Sequence, residues 1–240
     1  MAKDIQSLLP AVQAAVSRYQ MIQEGDTIAV GVSGGKDSLV LLVVLARLQK
    51  FYPVPFSLKA ITLDPQFNGP ADYSAIQTLC DSLKVPYIVR RTHLWDAVVS
   101  EGQEDHPCSL CAKMRRGALH KTAVEEGCNV VALGHHENDA AETFFMNLMS
   151  GGTISCFSPV THLDRRQITL IRPLIFLSEN QIEGVAKAEN LPIVKSACPA
   201  DGVTSRFEAR REIERLSCVY KKDISKQIVG ALQKNHISGW

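Results

Sequence analysis

The chain predicts an α/β fold: a parallel, doubly wound sheet with helices on both faces, followed by a helical C-terminal extension. Three observations carry that expectation. Short apolar runs alternate with helix-length segments through residues 27–149. Those runs are apolar on both faces, as strands buried between two helical layers must be. A glycine turn, Ser33-Gly34-Gly35, joins the first run directly to a helix start.

The elements follow in order. Ile5, Leu8, Leu9, Val12, Ala15 and Val16 fall on one side of an amphipathic helix over 5–22. Glu24-Gly25-Asp26 turns the chain into a first strand at 27–32. A helix from about 37 to 50 is broken by Pro53 and Pro55. Strand 57–63 ends at Asp64. Helix 71–83, strand 86–91, helical stretches around 94–100 and 109–126, strand 129–134 and helix 137–149 complete the alternation. Beyond Gly151-Gly152 the pattern loosens. There Ile168–Ile171 is a strand candidate, Ser178 caps a helix running to Glu189, and 191–195 reads as a short extended piece. Residues 205–219 and 222–235 read as two final helices. The expected division is an N-terminal helix (1–24), a catalytic α/β unit (25–200) and a helical extension (201–240).

Composition narrows the class. Of 240 residues, 45% are hydrophobic and 21% charged, ordinary for a soluble globular chain. The net charge of +1 excludes a global basic field, so any nucleic-acid affinity must come from local patches. Arg90-Arg91, Arg115-Arg116, Arg165-Arg166, Arg210-Arg211 and Lys221-Lys222 are the candidate components, each an ordinary solvated pair when taken alone. Neither a signal peptide nor a run of ~20 apolar residues is evident, so the expectation is a cytoplasmic protein without membrane contact. Seven cysteines, an odd number in a reducing compartment, argue for metal or redox chemistry over a disulfide scaffold.

Two constellations carry chemistry. Ser33-Gly34-Gly35-Lys36-Asp37-Ser38 follows a buried strand and opens a helix. Paired glycines let main-chain N–H groups approach an anion, and the helix N-terminus adds partial positive charge. The loop suits a phosphate or pyrophosphate, without Walker A or dinucleotide spacing. A ligand at a parallel sheet sits beyond the carboxyl ends of its strands, where Asp64 and the run Gly134-His135-His136-Glu137-Asn138-Asp139 also fall. Asp64 suits an adenine amine or ribose hydroxyl. Asp37 and Asp139 suit Mg²⁺, although Asp139 equally suits the first turn of a helix.

Cys108-Ser109-Leu110-Cys111 is the second constellation, two thiolates close enough to share a metal or cluster. A structural zinc site would want a second such pair. Cys80 and Cys128 read as core. Cys198, on a loop, is the favoured third ligand, with Cys156 and Cys218 weaker alternatives. Three thiolates suit a 4Fe–4S cluster with one open iron.

With these residues in hand, the chain resembles the PP-loop ATP pyrophosphatases, whose signature is S-G-G-x-D-S after the first strand. Within that family it is similar to the tRNA 2-thiocytidine synthetase group. That likeness runs from Met21–Asp26 through the phosphate loop, Cys108–Cys111 with Arg115-Arg116-Gly117, and Leu133–His136. It continues through Asp139, Asn147, Gly151-Gly152, Ile171-Arg172-Pro173-Leu174 and Pro192-Ile193-Val194 before Cys198. The chain departs from the better-known bacterial members of that group in having no second C-x-x-C at Cys198 and a shorter tail.

The resemblance implies a mechanism. ATP and Mg²⁺ would be held by Ser33, Gly34, Gly35, Lys36, Asp37, Ser38, Asp64, Gly134, His135 and Asp139. The C2 carbonyl of a tRNA cytidine, in the anticodon loop at position 32, would be adenylated and its oxygen replaced by sulfur delivered through a 4Fe–4S cluster on Cys108, Cys111 and Cys198. Arg115, Arg116 and Arg172 would contact RNA. The implied partners are tRNA and a sulfur donor, either sulfide or a cysteine desulfurase, with a homodimer as the oligomer to test. Rival readings are thiolation of another tRNA base, a lysidine-synthetase-like ligase that needs none of these cysteines, and a non-catalytic ATP-binding iron–sulfur sensor.

Overall fold

The apolar runs pair as a single six-stranded sheet. A computed structural model describes residues 4–66, 71–92, 107–194 and 205–240, with backbone alone for Pro107, Cys108, Ser109 and Ser205. Its strands are Thr27–Gly31 (β1), Ser57–Asp64 (β2), Tyr87–Arg91 (β3), Val130–Ala132 (β4), Val160–Leu163 (β5) and Ile168–Ile171 (β6). Their spatial order is β3-β2-β1-β4-β6-β5. β1 lies parallel between β2 and β4, with Thr27 opposite Ser57 and Ile28 opposite Val130. The chain therefore winds outward from β1 to β3, then crosses back to place β4 on the other side of β1. Beyond the carboxyl ends of β1 and β4 the adjoining loops part, which is where open α/β sheets bind ligands.

Helices cover both faces as expected. Leu9–Arg18 (α1), Lys36–Leu48 (α2) and Ser74–Leu83 (α3) precede Pro107–Glu125 (α4). Ile28 and Val30 of β1 point into a large core shared with α1, α2 and α3. Ala29, Ile61 and Val131 point the other way, into a smaller core closed by Ala123 and Leu119 of α4. α2 is buried almost throughout, with Leu39 to Leu42 inaccessible to solvent, so its position is tightly determined. Cys80 and Cys128 lie in these cores, as their apolar neighbours predicted.

Glu137–Gly151 (α5), Glu179–Ala188 (α6), Ser205–Tyr220 (α7) and Ile224–Lys234 (α8) follow. α7 and α8 pack on α5. The Trp240 indole N–H donates to Phe157 O at 2.7 Å, and its ring lies edge-on to Tyr19. No helix among the described residues is long and apolar enough to cross a membrane.

Three local readings differ from the structure. The first helix opens as a 3-10 turn at Ile5–Leu8, capped by Asp4, and becomes α-helical only where Pro10 fits its first turn. β5 was not expected. It is a short, half-exposed edge strand antiparallel to β6, with none of the continuous apolar character of the inner strands. Residues 191–194 form no strand; Val194 N instead donates to Gly34 O at 3.0 Å, docking that segment on the glycine turn. The helical stretch expected near 94–100 lies outside the described residues.

Candidate active site

Residues 33–35 turn tightly between β1 and α2. Gly34 has φ +86°, and a Cβ there would lie 3.1 Å from Val194 Cβ, so both backbone conformation and space call for glycine. Ser38 holds the turn closed: its hydroxyl donates to Gly35 O at 2.9 Å and accepts from Ser33 N at 3.1 Å. Ser33 Oγ also lies 3.2 Å from it and accepts from Gly35 N at 3.3 Å. Both serines thus shape the loop. The first turn of α2 is left facing a cavity of about 420 Å³.

β4 delivers the facing wall. A Cβ on Gly134 would lie 3.1 Å from Asp37 C and 3.2 Å from Ser38 N, so only glycine lets the end of β4 approach the α2 N-terminus this closely. His136 stands at the N-cap of α5, where its backbone N–H donates to Asp139 Oδ2 at 3.0 Å. Asp139 therefore serves as a first-turn acid and lines the cavity at once. Asp37 Oδ1 is shut off from solvent and has no hydrogen-bond partner among the described residues. His136 Nε2 bridges the two acids, 3.8 Å from Asp37 Oδ1 and 3.4 Å from Asp139 Oδ2. His135 lines the same cavity and packs on Phe157 at 5.1 Å. Burial pushes its pKa down to about 4, against the pull of Asp139, so the ring is neutral at ordinary pH.

A chain of ion pairs surrounds these acids. Lys36 Nζ lies 2.9 Å from Glu179 Oε1 and 3.3 Å from Asp37 Oδ1. Burial works against its charge, but the Glu179 hydrogen bond and the two carboxylates outweigh it and hold the ammonium above its ordinary range. Arg210 joins Glu179 at 3.3 Å to Glu142 at 2.7 Å. Arg206 joins Glu142 at 3.7 Å to Asp139 at 2.9 Å. Arg206 lines the cavity yet carried no sequence signal, since the Cys198 loop separates it from the α/β alternation; Arg210 was visible only as half of a basic doublet.

Three expectations change. Asp64 is buried, and its carboxylate accepts from Gln66 N at 3.0 Å and Ala71 N at 3.4 Å. It closes its own turn, while Ile61 and Leu63 of β2 line the cavity. Arg172 is no surface RNA contact. It is 7% exposed, donates to Ser158 O at 2.5 Å and Thr161 Oγ1 at 3.3 Å, and lies over the Phe157 ring at 5.0 Å. Burial lowers its pKa to about 10, and its work is to bind β5 to β6. Cys156, the alternative third ligand, donates its thiol to Ala140 O at 3.4 Å, and burial raises its pKa to about 11, disfavouring the thiolate.

α4 forms the remaining wall. Ala112, Arg115, Arg116 and Leu119 line the cavity opposite Ser33 and Gly134, and both arginines are exposed. Cys111 is buried in the same helix, one turn after backbone position 108. The Cys108 side chain and Cys198 lie outside the described residues. The helix that bears the C-x-x-C motif thus runs directly beside the phosphate loop.

A family model described as the PP-loop domain matches residues 8–216. The chain is 34% identical to a tRNA-cytidine(32) 2-sulfurtransferase of Syntrophotalea carbinolica, over 91% of this chain and 85% of that protein. It is 41% identical to one of Alkalilimnicola ehrlichii, over 75% of this chain but only 57% of the relative's length. Among solved structures, the U34-tRNA thiolase NcsA from Methanococcus maripaludis, with its 4Fe–4S cluster, superposes with a TM-score of 0.76. The identity there is 22%, covering 96% of this chain and 78% of NcsA. The ammonia-dependent NAD synthetase of Campylobacter jejuni shares the fold more distantly, with a TM-score of 0.54 at 18% identity.

Proposed function

The chain belongs to the PP-loop family, and from that premise we propose that it is an ATP-dependent tRNA thiolase acting on the C2 carbonyl of a cytidine, at position 32 of the anticodon loop. The observation that carries this reading is the shared cavity, in which an anion-binding turn and the helix bearing Cys108 and Cys111 face each other. The named activity of the curated relatives supports the choice of substrate.

The α2 N-terminus and the Gly34 N–H, the one amide of 33–35 not bonded within the loop, receive the triphosphate of ATP, whose α-phosphorus is attacked by the cytidine O2. The bond to the β-phosphate oxygen breaks, and pyrophosphate leaves. Lys36 lies one side chain from that leaving group and opposes its developing charge. Asp37 and Asp139 fit Mg²⁺: two carboxylates, one with a buried oxygen that has only its ion pair to Lys36, match an ion usually held by one or two acids plus phosphate oxygens. When bound, Mg²⁺ offsets the charge gathering on pyrophosphate. His135, neutral and half-buried, presents a ring to the base without adding charge. The cysteines Cys108, Cys111 and Cys198 would hold the 4Fe–4S cluster, which when bound supplies an open iron for sulfide. Sulfur then replaces the activated oxygen at C2 as AMP departs.

Anaerobically reconstituted protein, incubated with ATP, Mg²⁺, sulfide and tRNA, should release one pyrophosphate for each 2-thiocytidine found by nucleoside mass spectrometry. The protein should be brown, with about four irons per chain. Cys111→Ser should abolish thiolation. A colourless protein holding one zinc, or product formation that survives Cys111→Ser, would overturn the reading.

A further inference from the structure

We propose that a second cavity, between α4 and the β5–β6 turn, is the groove along which the tRNA backbone reaches the catalytic cavity. The proposal rests on the thiolase reading only in taking the polyanion to be tRNA. The groove measures about 440 Å³ and is lined by Lys113, Arg116, His120, Arg165 and Arg166, with Asp164 the one acid among the described lining residues. Two arginine doublets that stand 50 residues apart in sequence meet here. The contact is direct, with Arg166 Nη1 donating to Gly117 O at 2.9 Å.

Three features point to a polyanion strand. First, the charge is concentrated: Lys113, Arg115, Arg116, Arg165 and Arg166 are all exposed on one region of a chain whose net charge is only +1. Among the described residues no carboxylate forms a salt bridge with any of them. Second, an unpartnered ring lies in the wall of the groove. His120 is 5% exposed and lines it, yet its Nε2 is buried with no hydrogen-bond partner among the described residues. Leaving such a nitrogen unpaired costs free energy that a phosphate oxygen or a bound nucleotide hydroxyl would restore. Third, Arg116 lines both this groove and the catalytic cavity, so the two adjoin across its side chain. A nucleotide whose base enters the cavity past Arg115 and Arg116 must trail its backbone over this rim, where guanidinium groups suit phosphates.

The test uses the full chain and bulk tRNA in a filter-binding titration at several salt concentrations. Arg166 also supports Gly117, so the informative variant is Lys113→Ala with Arg165→Ala, neither of which hydrogen-bonds to the described residues through its side chain. The double variant should raise the tRNA Kd about tenfold and flatten the salt dependence by about 1.4 in log–log slope, at ~0.7 per phosphate contact. ATP binding should be unchanged, and Lys113→Arg with Arg165→Lys should retain tRNA affinity. An unchanged Kd and slope would overturn the proposal, as would wild-type protein that does not bind tRNA. Thiolation by the wild type is scored separately. A variant that loses tRNA binding in a protein that forms no 2-thiocytidine upholds the groove and defeats the thiolase reading.

Discussion

Gly134→Ala tests whether the end of β4 is what holds the phosphate loop in place. The new Cβ would sit 3.1 Å from Asp37 C and 3.2 Å from Asp37 O and Ser38 N, all backbone atoms of the first turn of α2. Ordinary contact needs a few tenths of an ångström more, and α2 cannot retreat because Leu39 to Leu42 are wholly buried behind it. Overpacking of this kind costs about 1–3 kcal/mol, which for a chain of this size lowers Tm by roughly 2–10 °C. The displaced turn is also the one that faces the nucleotide, and a ~1 Å misplacement can cost ~100-fold in rate. A shift of a few tenths should therefore lower kcat/KM for ATP on the order of tenfold. Calorimetry and pyrophosphate release measure the two effects. Gly184→Ala is the control: it lies within α6 with nothing within 4 Å of the added carbon, and should stabilise by about 0.5–1 kcal/mol without touching turnover. A Gly134→Ala protein that melts and turns over like its parent would refute the reasoning.

Two further outcomes follow from buried charge. Burial, with Asp223 nearby and Lys226 opposing, raises the Glu137 carboxyl from 4.5 to about 7. The folded chain keeps a proton there that the unfolded chain has released, so this group's stability is fully present below about pH 4.5 and lost as pH rises through 7. At ~1.36 kcal/mol per pH unit the loss is at most about 3–4 kcal/mol. Glu137→Gln should flatten denaturant-measured stability over that window, and an unchanged slope would count against the assignment. Arg172→Met should cost about 1–3 kcal/mol by stranding Ser158 O, while the salt dependence of tRNA binding stays as it was. A flatter dependence would restore Arg172 as an RNA contact.

Much of the fold was legible because inner strands and helices leave strong, distinct periodicities. β1 and β4 are short apolar runs, β2 carries an apolar centre at Ala60 and Ile61, and α2 follows its glycine turn at once. The edge was harder to read. β5 buries little and pairs only with β6, so its residues carry no periodic signal. The phosphate loop was legible for a different reason: a close backbone approach can be made only by glycines in a fixed order. The internal hydrogen bonds of Asp64 and Arg172 were not legible because their types suit either a ligand or a turn, and sequence does not tell which atoms will be within reach.

The sequence by itself determined the winding of the sheet, the glycine turn before α2 and the helical setting of the C-x-x-C, since each rests on local spacing. Only the tertiary structure decided which charges pair beside the cavity. Lys36, Glu179, Arg210, Glu142, Arg206 and Asp139 come from four helices and are linked by distances of 2.7 to 3.7 Å. Electrostatic partnership depends on separation in space, and it was the packing of α7 on α5 that set those separations.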